Sequence, residues 1–207
     1  MPLSTLRKLP YMDDLVKQAM AKWPNVPDCY GWLALDARGN WRMRDERAQQ
    51  LQLPGDKLAH AALIGFINRN YDHDERGCWF FQNGPQRVYL NLEATPFIAR
   101  SDPQHGYLLQ TGAALETIES AFLCDSGALI LQQGEIVAQV DDRDMAQAMQ
   151  ALRLDGKAVS DEGLLAWLDG GAGDLALQHG GLAIPVQRLA HAEVPRHFGF
   201  QRTPQAA

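Results

Sequence analysis

The amino-acid sequence predicts an α+β fold made of two related units, each built from antiparallel β-hairpins with helices packed on them. Three observations support this prediction. Short runs rich in aromatic and β-branched residues alternate with turn residues, which is typical of hairpins. Apolar residues recur at helical spacing in several separate segments. The order hairpin, helix, hairpin also occurs twice along the 207 residues, which indicates an internal duplication.

The first unit is predicted to span residues 1–110 and to begin with a helix. Asp13 can cap this helix and Pro24 ends it, because the residues between them are apolar at helical spacing. A strand at residues 31–35 and another that begins at Asn40 are then expected to form the first hairpin.

Three segments connect this hairpin to the next one. We predict a solvated connection for the charged segment 42–52. Residues 58–67 are apolar nearly all round, which predicts a helix buried between other layers. Residues 68–76 are expected to form its polar exit.

The clearest hairpin follows, and its turn is Asn-Gly-Pro at residues 83–85. A two-residue Asn-Gly loop would require Pro85 to donate the closing hydrogen bond, and proline has no N–H. We therefore expect a four-residue loop, residues 83–86, which places Phe81 opposite Val88. The predicted strands are residues 78–82 and 87–93.

The two faces of this central hairpin differ because side chains alternate along a strand. One face is apolar and is predicted to be the core face: Trp79, Phe81, Val88, Leu90 and Leu92. The other face mixes aromatic and hydrogen-bonding groups with one cation and one anion: Cys78, Phe80, Gln82, Arg87, Tyr89, Asn91 and Glu93. We predict that this second face binds a ligand or a partner. The candidate binding residues are Gln82, Arg87, Tyr89, Asn91 and Glu93.

A structural role is the alternative for this face. Arg87 and Glu93 share the face but lie about 20 Å apart along the strand, so they cannot pair with each other. Each then either forms an ion pair with the second unit or faces solvent.

The second, diverged unit is predicted to span residues 111–207. Short strands are expected between residues 122 and 137, followed by a helix capped by Asp141 or Asp142. Ser160 is expected to cap an extra helix, and residues 175–189 to form a last hairpin. We expect the mildly basic tail, residues 188–202, to be a solvated terminus.

Aligning the two final hairpins localises the polar face to one unit. Residues 82–84 correspond to residues 178–180, 96 positions later, so Arg87 and Glu93 correspond to Ala183 and Leu189. The first unit alone is therefore expected to carry the binding face.

Composition excludes several classes of function. A net charge of −6 disfavours sequence-independent binding to nucleic acid, which depends on clustered Lys and Arg. The three cysteines lack C-x-x-C spacing, which disfavours a zinc site or a disulfide framework. We expect no metal and no cofactor. A cytoplasmic protein with no membrane span is predicted, since the N-terminus lacks a signal peptide and no run approaches ~18 apolar residues.

Two other hypotheses remain open at this point. An enzyme of unrecognised type would draw its acid and base from Glu93, Asp102 and His105, near the end of the central hairpin. An assembly protein would use the aromatic residues of the hairpin as the seam of a homodimer.

Several of these features together resemble uncharacterised proteobacterial families classed as domains of unknown function. The resemblance covers the first hundred residues best and rests on Gly39, Trp41, Asp74, Gly77, Trp79, Asn83, Gly84, Arg87, Val88, Glu93, Pro96 and Phe97. It implies a fold with repeats and a part in signal transduction. It implies no particular reaction.

Overall fold

The computed structural model describes residues 12–206 and divides into two compact units. The first unit comprises residues 12–34, 41–91 and 201–206, and the second comprises residues 35–40 and 92–200. The N-terminal residues, for which the sequence predicts no signal peptide, lie outside the described residues. No helix between residues 12 and 206 is long and apolar enough to cross a membrane.

The first unit places helices on a six-stranded sheet of order β3-β2-β1-β6-β5-β4. Its core contains the edge-to-face ring pairs Trp41–Tyr71 and Phe66–Phe81. The elements are α1 (Asp14–Lys22), β1 (Cys29–Leu35), β2 (Trp41–Met43), α2 (Glu46–Gln50), β3 (Asp56–Lys57), α3 (Ala61–Arg69), β4 (Tyr71–His73), β5 (Trp79–Asn83) and β6 (Gln86–Leu92).

The second unit is built on a nine-stranded sheet of order β13-β12-β14-β15-β9-β10-β11-β7-β8. This sheet is mixed, because β11 pairs with β7 and β15 pairs with β9 in parallel. The elements are β7 (Phe97–Asp102), β8 (Gly106–Leu109), β9 (Ser120–Cys124), β10 (Leu129–Gln133), β11 (Ile136–Val140), α4 (Met145–Gln150), β12 (Leu152–Leu154), β13 (Lys157–Ala158), α5 (Asp161–Leu168), β14 (Leu175–His179), β15 (Leu182–Leu189) and α6 (Val194–Phe198).

Helices and sheets thus combine in an α+β fold, as predicted, although the second sheet is not purely antiparallel. Parallel pairing arises because β9 and β15 are distant in sequence, and so are β7 and β11, so no tight turn constrains their direction. The strands β7 and β8 precede residue 110, where the sequence suggested a boundary, but they pair within the second sheet.

The register of the central hairpin is confirmed, because Phe81 pairs with Val88. Its loop is shorter than predicted: Asn83 pairs with Gln86, which leaves a two-residue Gly84-Pro85 loop. Gly84 has a φ of +57°. A positive φ at the first loop position followed by proline suits a type II′ turn, which needs no N–H from the proline.

Three predictions for the segments before this hairpin are wrong. The charged connection contains α2, whose N-cap residue Asp45 accepts a hydrogen bond from the Ala48 N–H at 2.7 Å. The apolar helix α3 is not enclosed between layers, since only Ile67 in it is buried. Its predicted polar exit is the strand β4, which pairs with β5.

Helix positions in the second unit were predicted better than its C-terminal tail. The Ser160 Oγ accepts from the Gly163 N–H at the start of α5, as expected for a cap. The tail is not a solvated terminus: Arg188 lies in β15, donates to the Trp167 and Gly171 carbonyls and stacks on the Trp167 ring.

The order of elements repeats from α2 onward, while the pairing of strands differs. Helix, short strand, helix and hairpin occur as α2, β3, α3, β5–β6 and again as α4, β13, α5, β14–β15. However, β5 pairs on its outer side with β4, which follows its helix, whereas β14 pairs with β12, which precedes its helix. The duplication therefore stays a prediction.

Candidate functional site

Most of the predicted binding face of the central hairpin is covered. Cys78, Phe80 and Tyr89 are buried, and Tyr30 packs against them. The Tyr30 and Tyr89 rings stack in parallel with centroids 4.7 Å apart. The middle of the face is thus a second small core of the first unit and not an open surface.

Tyr89 has a structural role within this cluster. Its hydroxyl donates to Asp74 Oδ2 at 3.1 Å, and the same oxygen accepts from Arg76 Nε at 3.0 Å. Burial alone would raise the pKa of Asp74, but hydrogen bonds from the Cys78 N–H, Arg76 and Tyr89 outweigh it and lower the pKa below its usual value. Asp74 is therefore a charged anchor for the turn between β4 and β5.

The other two candidate residues, Asn91 and Glu93, do not line a pocket together with Gln82 and Arg87. Asn91 is half-buried near the end of β6 and lines no described pocket. Glu93 is exposed, belongs to the second unit, and accepts from the Ala37 N–H at 3.0 Å. The structure does not bring these side chains together with Gln82 and Arg87 in one pocket.

Gln82 and Arg87 do meet, at the turn end of the hairpin, where they line one pocket of the first unit. The two residues pair directly across the strands, so their side chains share a face. The pocket has a volume of about 540 Å³, and its other walls are Met20, Pro85 and residues 23–28. This volume falls in the range of small-molecule sites.

The segment that follows α1 forms the opposite wall, and a hydrogen bond joins it to the hairpin. Gln86 Nε2 donates to the Pro27 carbonyl at 3.0 Å. At the start of α1, the Asp13 N–H donates to Asn70 Oδ1 at 2.9 Å. Pro24 and Pro27 restrict the backbone between these contacts, so the wall is partly preformed.

Gln82 lines this pocket and carries a buried hydrogen-bond acceptor. The residue is only 1% exposed, and its Nε2 donates to the Gly84 carbonyl at 3.0 Å. That bond fixes the orientation of the amide, since a carbonyl oxygen can accept only from the nitrogen end. The Oε1 atom is buried and has no hydrogen-bond partner among residues 12–206. An unpaired buried acceptor costs about 1–3 kcal/mol, so a partner from outside the chain, such as a ligand or a water, is expected to satisfy it.

Arg87 supplies the positive charge of the pocket. Its guanidinium carbon lies 4.6 Å from the centroid of the Phe80 ring. It also interacts with the Tyr89 hydroxyl, which lowers the pKa of Tyr89, although burial is the larger effect and raises that pKa overall. No carboxylate within residues 12–206 forms an ion pair with Arg87. Its charge is therefore available to an anionic group.

The remaining polar groups of the pocket come from residues that the sequence analysis did not select. Asn25 and Asp28 are exposed and line the pocket, and Trp23 is 51% exposed beside them. The sequence pattern of these residues indicates only the end of a helix before a strand. A signal was present, since a Trp, an Asn and an Asp lie around two prolines, which is an unusually stiff and polar connection.

The residues proposed for catalysis converge only in part. Asp102 Oδ1 lies 2.8 Å from His105 Nδ1, and the hydrogen bond from His105 lowers the pKa of Asp102. The same oxygen accepts from the backbone N–H groups of Gln104 and His105, so the pair closes the turn between β7 and β8. Glu93 instead bonds to Ala37. These contacts account for both groups as parts of turns.

The assembly hypothesis also gains little from the geometry. The aromatic residues of the hairpin, Trp79, Phe80, Phe81 and Tyr89, are each 5% exposed or less, so they do not offer the seam of a dimer. Within residues 12–206 no group of three His, Cys, Asp or Glu residues could hold a metal ion.

The chain is similar to two solved structures and to one family of proteins. A DUF1285 family protein from Silicibacter pomeroyi DSS-3 is 13% identical, with a TM-score of 0.47 over 87% of this chain and 90% of that chain. A DUF1285 family protein from Shewanella baltica OS155 is 12% identical, with a TM-score of 0.40 over 56% of this chain and 88% of that chain. No curated protein matches the chain.

The family comparison confirms the predicted membership of a family without a known function. A model described as "Protein of unknown function (DUF2946)" matches residues 12–205, which is nearly the whole chain. The chain therefore belongs to this family of proteins of unknown function.

Proposed function

We propose that the protein is a non-catalytic regulatory module that binds a small molecule in the first-unit pocket. One observation carries the proposal: Arg87, which has no ion-pair partner among the described residues, and Gln82, whose Oε1 accepts no hydrogen bond from them, line the wall of the same pocket. A cation without a carboxylate partner and a buried acceptor without a donor are features expected of a recognition site. The proposal includes a cytoplasmic location, which the sequence analysis predicts, and a part in signal transduction, which the family resemblance implies.

The composition of the pocket supports binding rather than catalysis. Asp28 is the one carboxylate among the described residues of its wall, and that wall contains no imidazole or thiol. General acid–base catalysis needs a proton donor and acceptor held within hydrogen-bond reach of the reacting group. Arg87 and the Gln82 amide hold and orient a ligand well, but they transfer no proton near neutral pH.

The α1 segment provides a means of signalling occupancy. Val16 is the buried residue of α1, and five of the six residues 23–28 are exposed. Elements with few buried contacts open most readily. A ligand that contacts residues 23–28 and the hairpin together would hold this segment in place. We expect hydrogen exchange in residues 14–28 to slow when the ligand binds.

A thermal-shift screen of metabolites tests the proposal, with wild-type protein compared with Arg87→Ala. A ligand at one hundred times its dissociation constant adds ≈2.7 kcal/mol of stability, which corresponds to several °C for a domain of this size. Arg87→Ala should fold cooperatively and lose the shift. Arg196→Ala is the matched control, because Arg196 is an exposed arginine of the second unit and should keep it.

Two results would count against the pocket. One is a screen in which no compound raises the melting temperature of the wild-type protein. The other is a shift that Arg87→Ala leaves unchanged, since the ligand would then bind at another site.

A further inference from the structure

We infer that the ligand of this pocket is a small zwitterion with one carboxylate and one ammonium group, of which an apolar α-amino acid is the simplest example. This inference rests on the proposed function and adds the chemical class of the ligand. Its basis is the set of groups on one cavity wall that lack a counter-ion or a donor among the described residues, namely the Arg87 guanidinium, the Asp28 carboxylate and the Gln82 Oε1.

Arg87 provides the site for the carboxylate. A guanidinium binds a carboxylate through two parallel N–H···O bonds, which also fixes the orientation of the ligand. The stacking of Arg87 on the Phe80 ring restrains the guanidinium before any ligand arrives. The described part of the wall contains no second cation, so a group with a single negative charge suits it better than a doubly charged phosphate.

Gln82 and Asp28 provide the site for the ammonium group. The Gln82 Nε2 already donates to the Gly84 carbonyl. The atom of this amide that remains without a partner is therefore Oε1, which accepts a hydrogen bond from a donor. Asp28 lines the same pocket and makes no hydrogen bond or ion pair with another described residue. An ammonium group donates three hydrogen bonds and satisfies a neutral and a charged acceptor together.

The charge of the pocket agrees with this assignment. Arg87 and Asp28 are the charged groups of the described wall, and their charges cancel. A ligand of zero net charge with separated poles leaves neither charge unpaired. A simple anion would leave Asp28 uncompensated, and a simple amine would leave Arg87 uncompensated, and each loses affinity by desolvating that charge.

The rest of the wall suits an apolar side chain. Met20, Trp23, Pro24, Val26 and Pro27 surround the polar groups. Burying an apolar side chain against such residues adds to the affinity, while the polar groups set the orientation.

Calorimetric titration with three probes that share a 2-phenylethyl group tests the inference. L-phenylalanine has both charges, 3-phenylpropanoate lacks the ammonium group, and 2-phenylethylamine lacks the carboxylate. Wild-type protein should bind L-phenylalanine at least tenfold more tightly than either of the other probes.

Three variants assign each charge to its partner. Asp28→Asn and Gln82→Met should each bring the affinity for L-phenylalanine close to that for 3-phenylpropanoate. Arg87→Ala should bring it close to that for 2-phenylethylamine. Arg196→Ala, in the second unit, should retain the wild-type order of affinities.

The outcomes separate the inference from the function beneath it. Equal or tighter binding of 3-phenylpropanoate, still dependent on Arg87, would overturn the ammonium site and leave a ligand pocket in place. Binding of screened metabolites that are not zwitterions, with none of the three probes bound, would overturn the zwitterion class alone. Failure of the probes and of the whole screen would overturn both.

Discussion

Replacing Gln82 by methionine should stabilise the ligand-free protein, although the residue is buried and polar. Residues of a binding site often lower the stability of the ligand-free protein, because their polar groups have no partner until the ligand binds. Gln82 is 1% exposed and its Oε1 has no partner among the described residues. Methionine has nearly the same size and shape, so the change creates no cavity and little strain.

The expected magnitude follows from the two ends of the amide. Removing the unpaired Oε1 relieves a desolvation cost of about 1–3 kcal/mol. Removing Nε2 loses its hydrogen bond to the Gly84 carbonyl, which contributes about 0.5–1.5 kcal/mol. The middle of the first range exceeds the middle of the second by about 1 kcal/mol, so the free energy of unfolding should rise by about that amount.

Gln132 offers a matched control in the hairpin of β10 and β11. Its Nε2 donates to the Gly134 carbonyl at 3.2 Å, which is the same bond across a similar turn, but the residue is only half-buried. Gln132→Met should therefore lose stability slightly or not at all.

Urea unfolding at 25 °C measures both variants, with tryptophan fluorescence as the probe. Trp23, Trp32, Trp41 and Trp79 belong to the first unit, so the signal reports mainly on the unit that contains Gln82. A loss of more than about 1 kcal/mol in Gln82→Met, with an unchanged denaturant slope, would show that Oε1 has a partner in solution and would refute the reasoning.

Two further predictions concern the architecture. Asp141 is buried and paired with Arg100 and Arg143, so Asp141→Asn should cost about 2–3 kcal/mol. Burial raises the pKa of Asp141, but hydrogen bonds from Arg143 outweigh it and hold the pKa well below its usual value. This stabilisation is complete above the unfolded pKa of about 3.9 and is lost as pH falls. In urea unfolding, the difference in free energy between wild type and variant should therefore begin to shrink below about pH 4 and continue to shrink below about pH 3, and a constant difference would contradict the ion pair. Gly55→Ala places a Cβ in a clash with the Met43 carbonyl oxygen at φ +80°, whereas Gly127→Ala at φ +83° meets nothing within 4 Å. Gly55→Ala should cost about 1–3 kcal/mol more, and equal losses would refute the steric argument.

Local patterns in the sequence predicted the hairpin well because the pairing in a hairpin is determined by residues that are close together in the chain. Alternation along the strands and the missing N–H of Pro85 were enough to give the pairing of Phe81 with Val88. The burial of α3 was mispredicted because an apolar sequence indicates that a helix can be buried, but it does not identify the elements that pack against the helix. The elements α2 and β4 have only five and three residues, which is too short for a periodic signal.

The candidate site was predicted only on the side that lies within one hairpin. Gln82 and Arg87 were found because they share a polar face of neighbouring strands. The wall from residues 23–28 was missed because no pattern within that segment indicates that it packs against a turn some sixty residues later in the chain. The face also extends about 20 Å from Arg87 to Glu93, which is longer than one pocket, so its far end serves other contacts.

The central claim is that Gln82 and Arg87 bind a ligand together, and their side chains report on it directly in an NMR titration. Uniformly ¹⁵N-labelled protein should be titrated with L-phenylalanine while the Arg87 Nε–H and Gln82 Nε2–H₂ resonances are followed. The account predicts that both resonances shift saturably with one dissociation constant, together with backbone amides in residues 23–28. Saturable shifts that leave these two side chains unmoved, or no saturable shift with this probe or any compound of the screen, would contradict it.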